Sequence, residues 1–115
     1  MRRGEVHLVD LGTGQGSEAA KRRPAVIVSN DAANTTASRL GRGVVTVVPI
    51  TSSVHRVLPF QVRLAAGMAG LQRDSKAQAE QVRSVAVERV GQLLGPLPAT
   101  AMRAVDDALR LHLAL

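Results

Sequence analysis

The sequence predicts a mainly β protein, a small and strongly bent antiparallel sheet or barrel capped by one C-terminal helix. Three observations point there. Five or more short runs of apolar and β-branched residues are separated by clusters of Gly, Pro, Asn and Ser. One run, Val44-Val45-Thr46-Val47-Val48-Pro49-Ile50, is apolar on both faces, as a central strand must be. The one sustained helical stripe comes last, where Met102, Val105, Leu109 and Leu113 recur at spacings of three and four between Pro98 and Leu115.

Taken in order, Glu5 to Asp10 reads as a first strand with charge at both ends. Gly12-Thr13-Gly14-Gln15-Gly16-Ser17-Glu18 follows as a mobile loop, either a flap over a substrate or a long hairpin connection, with the flap favoured. It fits neither the dinucleotide fingerprint nor the phosphate loop, which need other spacings and a Gly-Lys-Ser/Thr ending. Ala25 to Val28 forms a second strand, with Pro24 suited to its first position and Ser29-Asn30-Asp31 ending it. Asp31 to Gly43 is polar and small, with a turn or one short helical turn at Asn34 to Ser38. Val44 to Ile50 is the third strand, and Thr51-Ser52-Ser53-Val54-His55-Arg56 a hydroxyl-rich exit loop. Phe60 to Leu64 alternates as a half-exposed strand, and Gly67 to Asp74 is a polar turn. Within Ser75 to Val85 the most strand-like part is Glu80 to Val85. Val87 to Val90 makes a short helical turn, Gln92 to Leu94 a short last strand, and Pro98 starts the terminal helix.

A chain of 115 residues fits a single domain, residues 1–115, and should bury roughly two-thirds of its unfolded surface. The lack of cysteine removes disulfides and thiolate metal sites together. No signal peptide or membrane span is legible, so a cytoplasmic location is the default. The formal charge of +6 suggests a polyanionic partner. Lysine occurs only at positions 21 and 76, so the positive charge is carried almost wholly by arginine, whose planar fork suits phosphate. Phe60 is the only aromatic residue, which argues against recognition by a base-stacking platform.

His7, His55 and His112 lie far apart with no paired ligand spacing, so no metal site is expected. A Gly-x-Ser-x-Gly elbow is missing, and the nine acidic residues are scattered. What remains is directed at phosphate. If the second and third strands pair as a hairpin, Arg23 at the start of one and Thr51-Ser52 at the end of the other emerge at the same edge. A guanidinium and a hydroxyl there could hold the two non-bridging oxygens of a phosphodiester whose own ribose 2′-hydroxyl attacks. On spacing alone, a surface arginine beside a surface threonine is the simpler account.

The residues also resemble a family. Arg3-Gly4-Glu5-Val6, Gly16-Ser17-Glu18, Arg23-Pro24-Ala25-Val26 and Ser29-Asn30-Asp31 are followed by Val48-Pro49-Ile50-Thr51-Ser52, Pro59-Phe60-Gln61-Val62, Gln72-Arg73-Asp74-Ser75 and Ala79-Glu80-Gln81-Val82-Arg83-Ser84. In this order, across nearly the whole chain, they resemble the MazF/PemK toxins. The resemblance implies an SH3-like barrel of the CcdB/MazF kind and a homodimer. It also implies a metal- and cofactor-independent endoribonuclease that cuts single-stranded RNA, or mRNA, at short sequences. The products would carry 2′,3′-cyclic phosphate and 5′-hydroxyl ends, and a cognate MazE-like antitoxin would neutralise the toxin. By the same resemblance Arg23 and Thr51 are the catalytic pair. Ser17 and Glu18 belong to a loop that gates and contacts RNA, with Ser52, Gln81 and Arg83 as further RNA contacts and Arg22 as supporting charge. The family often has aromatic residues in the first strand, where this chain has His7 and Leu8.

Arginine stays protonated and is an awkward general base, so Arg23 stabilises charge or donates a proton and the base stays open, with His55, the one group near neutrality in the Thr51 loop, as a candidate. Two other classes stay open. One is a non-catalytic toxin of the same barrel that poisons DNA gyrase, which would have no use for the Arg-Pro and Thr signals. The other is a basic RNA-binding module that never cuts, which a strong salt dependence with intact RNA would reveal.

Overall fold

A computed structural model describes residues 1–115. Its strands are β1 (Glu5–Asp10), β2 (Arg22–Ile27), β3 (Val44–Thr51), β4 (Gln61–Leu64), β5 (Ser75–Gln78), β6 (Arg83–Ala86) and β7 (Val90–Pro96), with helices α1 (Asp31–Leu40) and α2 (Ala99–Leu113). All strand pairings are antiparallel, in the order β4-β5-β3-β2-β1-β7. β6 pairs with the first half of β3, and β5 with its last two residues, so both share one edge of the long strand. The expected bent antiparallel sheet with a C-terminal helix is therefore present. No helix is long and apolar enough to cross a membrane.

β2 and β3 are the centre, and burial on both faces explains why Ala25 to Ile27 and Val47 to Ile50 lack polar positions. Ala25, Ile27, Val45 and Val47 point into one apolar cluster with Val9, Leu11 and Val85. Val26, Val48 and Ile50 point into a second cluster with Val6, Leu64, Leu71 and Val105. Helix α2 covers the second cluster through Val105, Met102 and Leu109. The expected stripe ends there, because Leu113 is 48% exposed.

Several elements differ from the sequence reading. Between β2 and β3 lies a ten-residue helix rather than a turn, so the two strands are neighbours without being a tight hairpin. Asn30 caps it by accepting a 2.8 Å bond from the Ala33 amide, and Gly41, at φ 65°, closes it in the left-handed conformation. Fully buried Asn34 fixes the helix to the sheet. Its oxygen accepts from the Ser29 hydroxyl at 2.5 Å, its amide donates to the Ser29 carbonyl at 2.9 Å, and the Ser29 hydroxyl accepts from the Thr46 amide. Secondly, residues 79–81 form a 3-10 turn, and the strand begins only at Arg83. The turn carries the chain from one half of the β3 edge to the other. Thirdly, β7 runs from Val90 to Pro96, longer than the expected Gln92 to Leu94.

The outer strands β4 and β7 exchange no ladder bonds, so the barrel is not closed by hydrogen bonding. Instead a 3-10 turn, Met68–Gly70, packs directly on β7. A Cβ at Gly70 (φ 75°) would collide with the Leu94 carbonyl, and one at Gly95 would stand 3.0 Å from the Ala69 carbonyl carbon. At the other end of the chain, Arg3 clasps three elements. Its amide donates to Asp31, its Nε to the Val28 carbonyl, and its guanidinium pairs with Asp106 of α2 at 2.6 Å. The Arg3 amide, aided by Asn34 and nearby arginine charge, holds the Asp31 carboxyl below its ordinary range.

Candidate active site

Prolines shape the place where β2 and β3 part. The ladder between them runs from Ile27–Val47 to Ala25–Pro49 and goes no further. Pro49 and the adjacent Pro24 bring no N–H to it, so the strands stop exchanging bonds there. Pro24 is the third residue of β2 rather than its first, because Arg22 and Arg23 are paired with Asp10 and Val9 of β1. Continuing the β2–β3 register by one pleat sets Arg23 opposite Thr51.

Both residues line one cavity of about 580 Å³, together with Ser52. The Arg23 side chain is half-buried and donates from Nε to the Ala20 carbonyl at 2.7 Å, which aims the guanidinium and leaves its terminal nitrogens free. The Thr51 hydroxyl oxygen accepts from the Ser53 amide at 3.2 Å, so its proton remains available to a ligand. The lining includes a second arginine, Arg73, and the amides Gln72 and Gln92, and it holds no carboxylate and no imidazole. Such a cavity favours an anion. Sequence reasoning gave Gln72, Arg73 and Gln92 no site role, the first two entering only within the motif Gln72-Arg73-Asp74-Ser75. They reach the site from a turn and a distant strand, and only the fold brings them there.

The other residues singled out lie elsewhere. Gln81 is a two-ended latch on the glycine-rich loop, accepting from the Ala19 amide at 3.0 Å and donating to the Ser17 carbonyl at 2.8 Å. Ser17 and Glu18 are exposed on that loop, whose ends are tied by reciprocal backbone bonds, Leu11 to Lys21 and Lys21 to Gly12. Arg83 donates to the Leu11 carbonyl at the loop's root. Exposed Arg22 lies over Gly91 of β7. His55 is exposed, 3.3 Å from the Ser53 hydroxyl, and does not line the cavity. His7 is buried between the Gly91 carbonyl and Glu5, and His112 packs on Phe60 with ring centroids 5.9 Å apart. Nowhere do three or more histidine, aspartate or glutamate side chains gather as metal ligands.

Comparison with known proteins decides the family. Residues 2–113 match the model of the PemK-like, MazF-like toxins of type II toxin-antitoxin systems. The chain belongs to the PemK/MazF toxin family. Among relatives, it is 58% identical over all 115 residues to endoribonuclease MazF9 of Mycobacterium tuberculosis (strain ATCC 25618 / H37Rv), covering 98% of that protein. Among solved structures, MazF from Deinococcus radiodurans superposes with a TM-score of 0.80 at 25% identity, covering 100% of this chain and 97% of the other. A mycobacterial endoribonuclease in complex with its cognate antitoxin gives 0.78 at 25% identity, covering 100% and 96%. The PemK/MazF fold thus agrees with the expected SH3-like barrel, here with an open ladder.

Proposed function

We propose that this chain is a sequence-selective endoribonuclease toxin that cuts single-stranded RNA, with Arg23 and Thr51 as its catalytic pair. The observation that carries the reading is the cavity: a fixed guanidinium and a free hydroxyl converge at the parted strands, among groups that include no carboxylate to repel a phosphodiester. The full-length likeness to a mycobacterial endoribonuclease supports the reaction class.

The chemistry follows from what those groups can do. The ribose 2′-oxygen attacks phosphorus, the 2′-O–P bond forms, and the bond from phosphorus to the 5′-oxygen breaks. The 2′-proton is lost, the leaving oxygen gains a proton, and the products are a 2′,3′-cyclic phosphate and a 5′-hydroxyl. Charge accumulates on the non-bridging oxygens, where Arg23 stabilises it and Thr51 donates a hydrogen bond. Arg23 enters the reaction protonated, so it acts as an electrostatic stabiliser or proton donor and not as the base. Ser52 adds a second hydroxyl at the same rim. No metal is needed, because the nucleophile belongs to the substrate. Ser17, Glu18, Arg22, Gln81 and Arg83 act around the loop that borders the bound RNA, and His55 is the titratable group to test as acid or base.

The reading extends to one MazF/PemK-like domain over residues 1–115, acting in the cytoplasm as a homodimer and silenced by a cognate antitoxin. Mapping the ends left on a long RNA in the presence of EDTA tests it. Discrete cuts with cyclic-phosphate ends, slowed at least about a hundredfold by Arg23→Ala in a folded protein, are expected. RNA bound but left intact would reduce the protein to a binding module, and unaltered cleavage by Arg23→Ala would remove that residue from the reaction.

A further inference from the structure

The proposed chemistry uses only one side of the cavity. Its other side forms where the turn after Met68–Gly70 meets β7, and contributes Gln72 and Arg73 from the turn and Gln92 from the strand. None of these three side chains makes a hydrogen bond or ion pair within the chain. Asp74, the carboxylate next to Arg73, is turned instead to Arg63 and the Ala66 amide, and Ser75 bonds only the Arg73 carbonyl. Two other amides near the sheet edge differ. Gln61 joins the Leu58 amide to Glu80, and Gln81 joins Ala19 to Ser17, so both ends of each are occupied.

Two unoccupied carboxamides and one unpaired guanidinium at the rim of an anion-favouring cavity have a chemical meaning. A carboxamide offers donors and an acceptor together, which matches the mixed edge of a nucleobase. An arginine without a carboxylate partner matches a phosphate. The apolar side chains of Leu8 and Leu94 lie among the same lining residues and give a base a surface without an aromatic platform.

We infer that this second side is the specificity subsite for RNA: Arg73 holds the phosphate next to the one being cut, and Gln72 and Gln92 hydrogen-bond the edge of the adjoining base. The inference rests on the RNA-cleaving reading above, and it names which residues select the sequence.

The test is cleavage of a randomised RNA pool by the full chain and by Gln72→Ala, Gln92→Ala and Arg73→Ala, with the cut ends sequenced. In parallel, the salt dependence of binding is measured on a 2′-deoxy version of the pool that cannot be cut. All three positions are exposed, so the variants should keep the parent's unfolding transition. In the glutamine variants, base preference at a nucleotide adjoining the cut should relax by about tenfold or more, with cleavage spreading to sites the parent ignores. Arg73→Ala should weaken binding across all sequences and lower the salt slope by about one. A parent that cuts, with the same base profile in both glutamine variants and the same salt slope in Arg73→Ala, would overturn the subsite alone. A parent that cuts nothing would overturn the cleavage reading, and base selection in the bound deoxy pool would then decide the subsite by the same comparison.

Discussion

The cavity where β2 and β3 part and the seam beneath the glycine-rich loop are built from the same side chains, arginine, glutamine and serine, but they differ in what those groups hold. In the seam, Gln81 and Arg83 are committed to the carbonyls and amide of Leu11, Ser17 and Ala19. In the cavity, Arg23 is fixed by one bond to Ala20, while Gln72, Arg73 and Gln92 hold nothing within the chain. Residue type therefore does not separate a binding group from a scaffold group. Free hydrogen-bonding atoms together with a place on the cavity wall do.

The comparison can be broken by substitution, most severely in the cavity. Arg23→Ala should lower the cleavage rate by about 10²–10³-fold, the loss typical of one preorganised charge-stabilising donor, with little change in thermal unfolding. A matching loss from Arg83→Ala would erase the distinction drawn here. Asn34→Ala supplies the structural extreme, since that amide is fully buried and its removal leaves the Ser29 hydroxyl proton and carbonyl without the partner they hold; denaturant unfolding should show a loss of about 2 kcal/mol or more. Gln81→Ala should be milder, near 1 kcal/mol for half-exposed bonds. Its sharper readout is faster hydrogen exchange at the Ala19 amide, and a smaller fall in cleavage than Arg23→Ala gives.

The acid limb of stability offers a smaller effect. Burial works to raise the Glu5 carboxyl, but the Arg2 amide, the His7 ring and nearby positive charge outweigh it and hold the group below 4.5. Its contribution is complete above that value and is lost as pH falls through the lower folded value. Thermal unfolding of Glu5→Gln should accordingly show a shallower acid decline than the parent. The smallest expected change is at His55, whose ring is exposed and outside the cavity lining. The pH-rate profile of His55→Ala should keep its shape, and loss of a limb would make this residue the acid or base.

Much of this arrangement was readable along the chain, because buried strands write their pattern directly. Val44 to Ile50 announced a central strand, and the antiparallel register of its neighbour was enough to bring Arg23 toward Thr51. Helix α1 was not readable as a helix. It buries only Asn34 and Ala37, so it has no apolar stripe, and its signals were the polar cap Asn30 and the terminal Gly41. The break at residues 79–81 was hidden for the opposite reason, since Ala79 to Val85 looks like one strand although the chain there steps from one half of the β3 edge to the other. Gln72 and Arg73 were legible only as part of a motif with no role attached, and Gln92 carried no local signal at all. Their meeting depends on the sheet curling until a turn touches its far edge.

That touch depends on two positions where only a hydrogen atom fits. At Gly70 and Gly95 the turn and β7 approach so closely that any side chain would have to push one away from the other. The two glycines therefore act as a calliper on the groove, fixing the gap between the residues at positions 72 and 73 and the residue at position 92. A methyl group at either glycine would widen the setting and change which bases fit, without altering a single group that touches RNA.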